Sequence, residues 1–194
     1  MGAEVHSTPW GRFLLHPNDL IGRTLAAGNL WDGAGFMMPI IKEHAKGGVF
    51  IDIGANLGLL SIFAVQYAEK VIAVEAIPQT YQMLLANLDL NKSWNVIPVC
   101  KAAYDREVRM AWAPEAVQGQ KIHGVAYEDI GNIGGLAVVP GDGPIQGIAL
   151  DSLAFLFTPR VSLIKVDAQG CDLRALKGLE RTIRRDSPVV VFEF

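Results

Sequence analysis

Residues 48–76 read GVFIDIGANLGLLSIFAVQYAEKVIAVEA, and the pattern of this stretch decides the fold. The run 48–54 is apolar and β-branched and stops at a glycine, as a buried parallel strand does. Residues 57–68 then carry apolar side chains at helical spacing, and 70–76 (KVIAVEA) form a second strand-like run. A strand, a glycine turn, a helix and a second strand make a βαβ unit, which places both strands parallel in one sheet.

The same alternation continues outward. Pro78 stands where a helix can begin, because proline lacks only a donor that the first turn leaves unpaired, and the helix runs to about residue 91. Residues 95–102 supply a third strand. Between 104 and 146 the regular pattern stops; the stretch is rich in glycine, has prolines at 114, 140 and 144, and reads as an insertion with short strands near 107–112 and 136–139. Regularity returns with 148–150, a helical turn opened by Asp151, a strand at 161–167 (VSLIKVD), a helix over about 173–184 and a strand at 188–194. The fold class expected is α/β, a doubly wound, mainly parallel sheet of order 3-2-1-4-5. Residues 1–47, with Trp10, Trp31 and the apolar stretch 36–41, read as a cap segment on a domain covering 48–194. The sequence stops at Phe194 inside an apolar strand, which suggests either a piece of a longer chain lacking a C-terminal strand pair or a sheet that ends on its fifth strand.

Of the 194 residues, 51% are hydrophobic, enough for one core, yet no apolar run approaches the roughly 20 residues that cross a bilayer. Residues 1–12 carry neither a secretory nor a transit pattern, so the compartment expected is cytoplasmic. Cys100 and Cys171 lack any metal-binding spacing and read as reduced thiols. No metal is expected. The net charge of −3 includes one local cationic cluster, at 181–185, which reads as a solvated helix end. Without a basic stripe, nucleic acid is not the partner expected.

The chemistry concentrates at Asp52-Ile53-Gly54-Ala55-Asn56-Leu57-Gly58. In a parallel α/β sheet the ligand sits beyond the carboxyl ends of the strands, where the turn must be tight and the backbone close, and glycines at 54 and 58 allow both. The amides opening the next helix suit an anion such as a carboxylate, and Asp52 suits an ammonium. Glu75 ends the second strand, where an acid can accept hydrogen bonds from both hydroxyls of a ribose. The two acids bracket a nucleoside. A dinucleotide site is the rival reading, but its G-x-G-x-x-G fingerprint has Asn56 in place of the second glycine, leaving less room for a pyrophosphate.

The stretches FIDIGANLGLLS (50–61), VIAVEAIPQTYQMLLANLDLN (71–91), NIGG (132–135), ALDSL (149–153), LIKVDAQGCDLRALKGL (163–179) and VVVFEF (189–194) together resemble the FkbM-type family of S-adenosylmethionine-dependent methyltransferases. The resemblance implies a class I, Rossmann-like methyltransferase fold, S-adenosyl-L-methionine as cofactor, and methylation of a hydroxyl oxygen on a sugar or small metabolite. On it, Asp52, Gly54, Ala55, Asn56, Gly58, Glu75, Ala76 and Ala103 are the candidate cofactor residues, and Asp167, Asp172 and His123 the candidate catalytic ones. The acceptor implied is a small molecule or glycan. Three positions depart from the family pattern: Gln169 replaces a glutamate, Asp172 stands for a longer acid, and Ala76 replaces a proline. The missing carboxylate at 169 keeps a non-catalytic S-adenosylmethionine-binding module in view beside the enzyme, and an NAD-dependent oxidoreductase stands further off.

Each candidate has a plainer reading. Asp167, at the end of the fourth strand, faces the crevice or caps the following helix, a task Asp172 could equally perform. Lys165, two residues earlier on the same strand face, pairs with Asp167 or Glu193 or touches substrate. His123 is a base or a solvated loop residue. Residues 132–135 form a simple turn or a backbone turn over the methionine end. Asn87 and Asn91 fall on one helix face with structural roles, Asn91 ending the helix, and Asp151 is read as a helix cap.

Overall fold

The structure is a computed structural model that describes residues 2–113 and 135–192. It opens with an antiparallel hairpin of β1 (Glu4–Thr8) and β2 (Gly11–Leu15). Helix α1 (Leu20–Ala26) starts at Asp19, whose carboxylate accepts the Gly22 amide at 2.8 Å, and α2 (Asp32–His44) follows. The βαβ unit then appears as β3 (Val49–Ile53), α3 (Leu59–Ala64) and β4 (Lys70–Glu75). Helix α4 (Pro78–Leu90), with proline in its first turn, leads to β5 (Val96–Cys100). After four short strands, β6 (Ala102–Tyr104), β7 (Val108–Trp112), β8 (Val138–Pro140) and β9 (Ile145–Ala149), a 3₁₀ helix at Leu150–Leu156 returns the chain to β10 (Val161–Val166). Two short helices, α5 (Asp172–Lys177) and α6 (Glu180–Asp186), precede β11 (Val189–Phe192).

The central sheet has five parallel strands in the order β11-β10-β3-β4-β5. This is the 3-2-1-4-5 arrangement expected from the sequence, with β3 first and β10 fourth. Every residue of β3 and β10 is buried, as central strands covered on both faces require. Side chains alternate between two cores: Phe50, Val71, Ala73 and Leu163 meet α2, α3, α4 and β2, while Ile51, Ile53, Ile72, Val74, Ile164 and Val166 meet Leu150, Phe157 and Leu179. That alternation turns Asp52 and Lys165 toward the face that carries α2 and α3.

Residues 2–47 contribute directly to the first of these cores through Phe13, Leu15, Leu25, Met37 and Ile41. Asn87 and Asn91 lock the contact. Asn87 accepts the Leu14 amide at 2.6 Å and donates to the Leu57 carbonyl at 2.9 Å; Asn91 accepts the Arg12 amide at 3.0 Å and donates to the Arg12 carbonyl at 2.7 Å. One helix face thus serves as an edge partner for β2.

Three local readings are corrected. The third strand, expected over 95–102, ends at Cys100, and Ala102–Tyr104 belongs to a second, four-stranded sheet of order β6-β9-β7-β8. The helix expected over 173–184 is two, because the Gly178 carbonyl accepts the Asp151 amide at 2.8 Å instead of continuing the helical ladder. Glycine is required there, since a Cβ would stand 1.9 Å from the Tyr104 carbonyl oxygen. Asp151 caps a helix, but not its own: its carboxylate accepts the Arg181 and Thr182 amides at 2.8 and 3.0 Å and so caps α6. Among the described residues no helix is long and apolar enough to cross a membrane.

Candidate active site

The turn after β3 takes left-handed backbone at Gly54, Asn56 and Gly58, with φ of +72°, +51° and +89°. Asparagine tolerates this region better than most side chains, which lets Asn56 occupy a place where a glycine would be ordinary. The glycines answer to packing. A Cβ on Gly54 would lie 2.0 Å from the Asp167 carbonyl oxygen, where the end of β10 closes on the turn, and one on Gly58 would meet Leu84 Cδ1 at 2.6 Å.

Four charged side chains converge beside this turn. Asp52 is 1% exposed, and its Oδ2 accepts the Ser61 hydroxyl at 2.6 Å. Lys165 Nζ lies 3.4 Å from Asp52 Oδ1 and 3.6 Å from Asp167 Oδ2, and donates to the carbonyls of Ile53 and Gly54 at 3.1 and 2.8 Å. Asp167 Oδ1 accepts Gln169 Nε2 at 2.7 Å. Glu75 is buried, its carboxyl pushed up by loss of solvent, an effect opposed by the amides of Ile77 and Asn56, each 2.9 Å from one of its oxygens. Of the two pairings open to Lys165, the structure makes the one with Asp167 and adds Asp52; Glu193 lies outside the described residues.

These groups open on a cavity of about 440 Å³. Asp52, Gly54, Ala55, Asn56, Glu75, Ala76, Ala103 and Asp167 all line it. Gly58 and Asp172 do not: Gly58 is the N-cap of α3, and both oxygens of Asp172 are taken by the Ala168 and Gly170 amides at 3.0 and 3.1 Å. His123 and residues 132–134 lie outside the described residues. The sequence reading assigned no site role to Ile21, Trp31, Phe36 or Met37, yet all four line the cavity, as do Lys101 and Gln169. Trp31 and the apolar stretch 36–41 signal a cap segment on the domain, but not which of its side chains reach the cavity.

The donor set fits an adenosine carrying an amino acid. Each Glu75 oxygen keeps an acceptor site beyond its amide, enough for one hydroxyl apiece. Asn56 Oδ1 is buried without a hydrogen-bond partner among the described residues, a costly state that a donor such as an ammonium would relieve, and Asp52 Oδ1 has the Lys165 ammonium at 3.4 Å but no hydrogen bond among the described residues. Ala76, Ile77, Ala102 and Ala103 add small or apolar walls beside the ends of β4 and β5.

A doubly wound parallel sheet with an acid ending each of its first two strands and a cavity over their carboxyl ends is the architecture of a Rossmann-like, nucleoside-binding fold. The profile of the Methyltransferase FkbM domain matches residues 52–194, and the chain belongs to that family, whose cofactor is S-adenosylmethionine. Among solved structures it is similar to methyltransferase FkbM from Methylobacillus flagellatus KT, at 18% identity over 75% of this chain and 32% of that one, with a TM-score of 0.49. It is similar also to Trm5b from Pyrococcus abyssi, at 27% identity over 52% of this chain and 28% of that one, with a TM-score of 0.41. For the precorrin-6y C5,15-methyltransferase of Geobacter metallireducens GS-15 the values are 17%, 79%, 57% and 0.46. The chain therefore spans less than two thirds of the length of each. No curated protein matches it.

Proposed function

We propose that this chain binds S-adenosylmethionine in the cavity and methylates a hydroxyl oxygen on a sugar or small metabolite. The observation that carries the reading is convergence: Glu75, Asp52 and Asn56, which suit a nucleoside and an ammonium, share one cavity with the carboxylate of Asp167. S-adenosylmethionine supplies a methyl carbon already activated by its sulfonium. Glu75 grips the ribose hydroxyls, and Asp52 and Asn56 hold the ammonium. Asp167 would take the proton of the acceptor hydroxyl onto a carboxylate oxygen, the hydroxyl's own oxygen being the nucleophile and the neutral thioether of S-adenosylhomocysteine the leaving group. Gln169, donating to Oδ1, fixes the carboxylate's direction, and Lys165 offsets the charges of Asp52 and Asp167. Much of the remaining task is alignment and exclusion of water.

Calorimetry with S-adenosylmethionine, S-adenosylhomocysteine and NAD tests the binding half. The first two should bind and NAD should not; NAD binding, or no binding of the methyl donor, overturns the reading. A labelled-methyl screen over glycans, lipids and small metabolites tests the transfer half. Gln169, standing where the resemblance to the family implies a glutamate, favours a second reading, a binding module without chemistry. Tight binding with no transfer across the screen would support that module over the enzyme.

A further inference from the structure

The cavity has two unlike flanks. Beside the ends of β4 and β5 stand Glu75, Ala76, Ile77 and Ala103, the groups that suit a nucleoside. The opposite flank is built by α2, which packs on α3 and on β10, and β10 lies across β3 from β4. Helix α2 therefore stands on the β10 side of β3, the side of the strand that carries Lys165 and leads into Asp167, and Asp167 and Lys165 line the same cavity. The helix presents Trp31, Phe36 and Met37 to the cavity. Phe36 is 64% exposed, a large apolar ring left in solvent at the edge of a cavity. Gly33 lines the same wall, and a Cβ there would stand 3.3 Å from Trp31 Nε1, so bare backbone seats the indole. Lys165, the cation on this flank, is 8% exposed and already engaged by Asp52, Asp167 and two carbonyls. A polyanion would meet no available cation among the described residues of this wall, whereas a neutral ring would bury its face on two aromatic side chains.

We propose that Trp31 and Phe36 form the acceptor subsite, and that the acceptor is a small neutral alcohol whose ring has an apolar face, its hydroxyl turned toward Asp167. This rests on the methyltransferase reading of the cavity. The test uses the full chain labelled with fluorotryptophan and saturated with S-adenosylhomocysteine, the resonance of Trp31 being assigned among the four tryptophans with Trp31→Phe. Phenol, methyl β-D-glucopyranoside and a single-stranded RNA oligonucleotide are titrated separately; the first two distinguish an aromatic ring from a sugar. The expected result is a saturable shift of the Trp31 resonance by at least one neutral ring compound. Phe36→Ala should weaken that binding roughly two- to tenfold and leave the affinity for S-adenosylhomocysteine unchanged. A Trp31 resonance that neither ring compound moves, or that only the RNA moves, overturns the subsite while S-adenosylhomocysteine still binds. Failure of S-adenosylhomocysteine itself to bind overturns the methyltransferase reading and the subsite with it.

Discussion

At Glu75, burial raises the carboxyl above its ordinary 4.5 even though two amides and Lys165 pull the other way. A raised folded value means that the folded protein holds this proton more tightly than the unfolded chain does. The associated stability is full below the unfolded value and lost as pH rises through the folded one, so the ionised Glu75 of neutral solution costs the fold something. Ribose hydroxyls are donors and need that ionised form. Affinity for S-adenosylhomocysteine should therefore fall on acidification with a midpoint above 4.5, and calorimetry at stepped pH checks it. Glu75→Ala should lose at least about tenfold in affinity, since hydrogen bonds to a charged acceptor contribute roughly 1.5–3 kcal/mol each. Asp167→Asn keeps size and removes charge. If Asp167 is the base, turnover on a confirmed acceptor falls by about 10²- to 10⁴-fold with an unchanged melting temperature, whereas near-normal turnover would make it a loop-orienting residue. The positions of Asp52, Glu75 and Asp167 were legible because each ends a strand whose apolar run is visible in the sequence. The Lys165 bridge was only half legible: the spacing offers Asp167 on its own strand, but Asp52 becomes a partner only through the pairing of β3 with β10.

At the scale of elements, local pattern located strands and helices but not every tie between them. Asp151 has the sequence context of a cap for the turn that follows it, yet its carboxylate crosses to α6, where it takes two amides and the Thr182 hydroxyl at 2.7 Å. A single cap contributes about 0.5–2 kcal/mol, and this one satisfies a buried hydroxyl as well. Asp151→Ala should thus cost roughly 2 kcal/mol and lower the melting temperature by about 4–8 °C, measured by scanning calorimetry. An unchanged melting temperature would mean that α6 is held by its apolar contacts alone. The break between α5 and α6 was hidden for a related reason. Apolar spacing runs on through residues 173–184, and only the approach of β6 to Gly178 and the Asp151 amide on its carbonyl interrupt the ladder.

For the whole molecule, residues 2–47 and the central sheet share one core, so they should unfold together. Phe13, Leu15, Leu25 and Ile41 are each at most 1% exposed, and burying such a side chain contributes about 1.5–3 kcal/mol. A chain beginning at Gly48 would expose their partners Phe50, Leu163 and Leu84 and should lose its cooperative thermal transition, whereas the full chain should show one. Two separate transitions in the full chain would show instead that the N-terminal segment is an independent cap. The sequence by itself determined the parallel strands, the glycine turn and the strand-end acids, because a period of two, helical spacing and turn residues are local properties of neighbouring residues. Only the tertiary structure decided that α2 supplies an aromatic wall to the cavity, that Asp172 turns to its own loop, and that Asn91 reaches back 79 residues to Arg12. Those outcomes depend on which surfaces meet when the two faces of the sheet are covered, and a residue's partner across such a gap leaves no mark in the residues beside it.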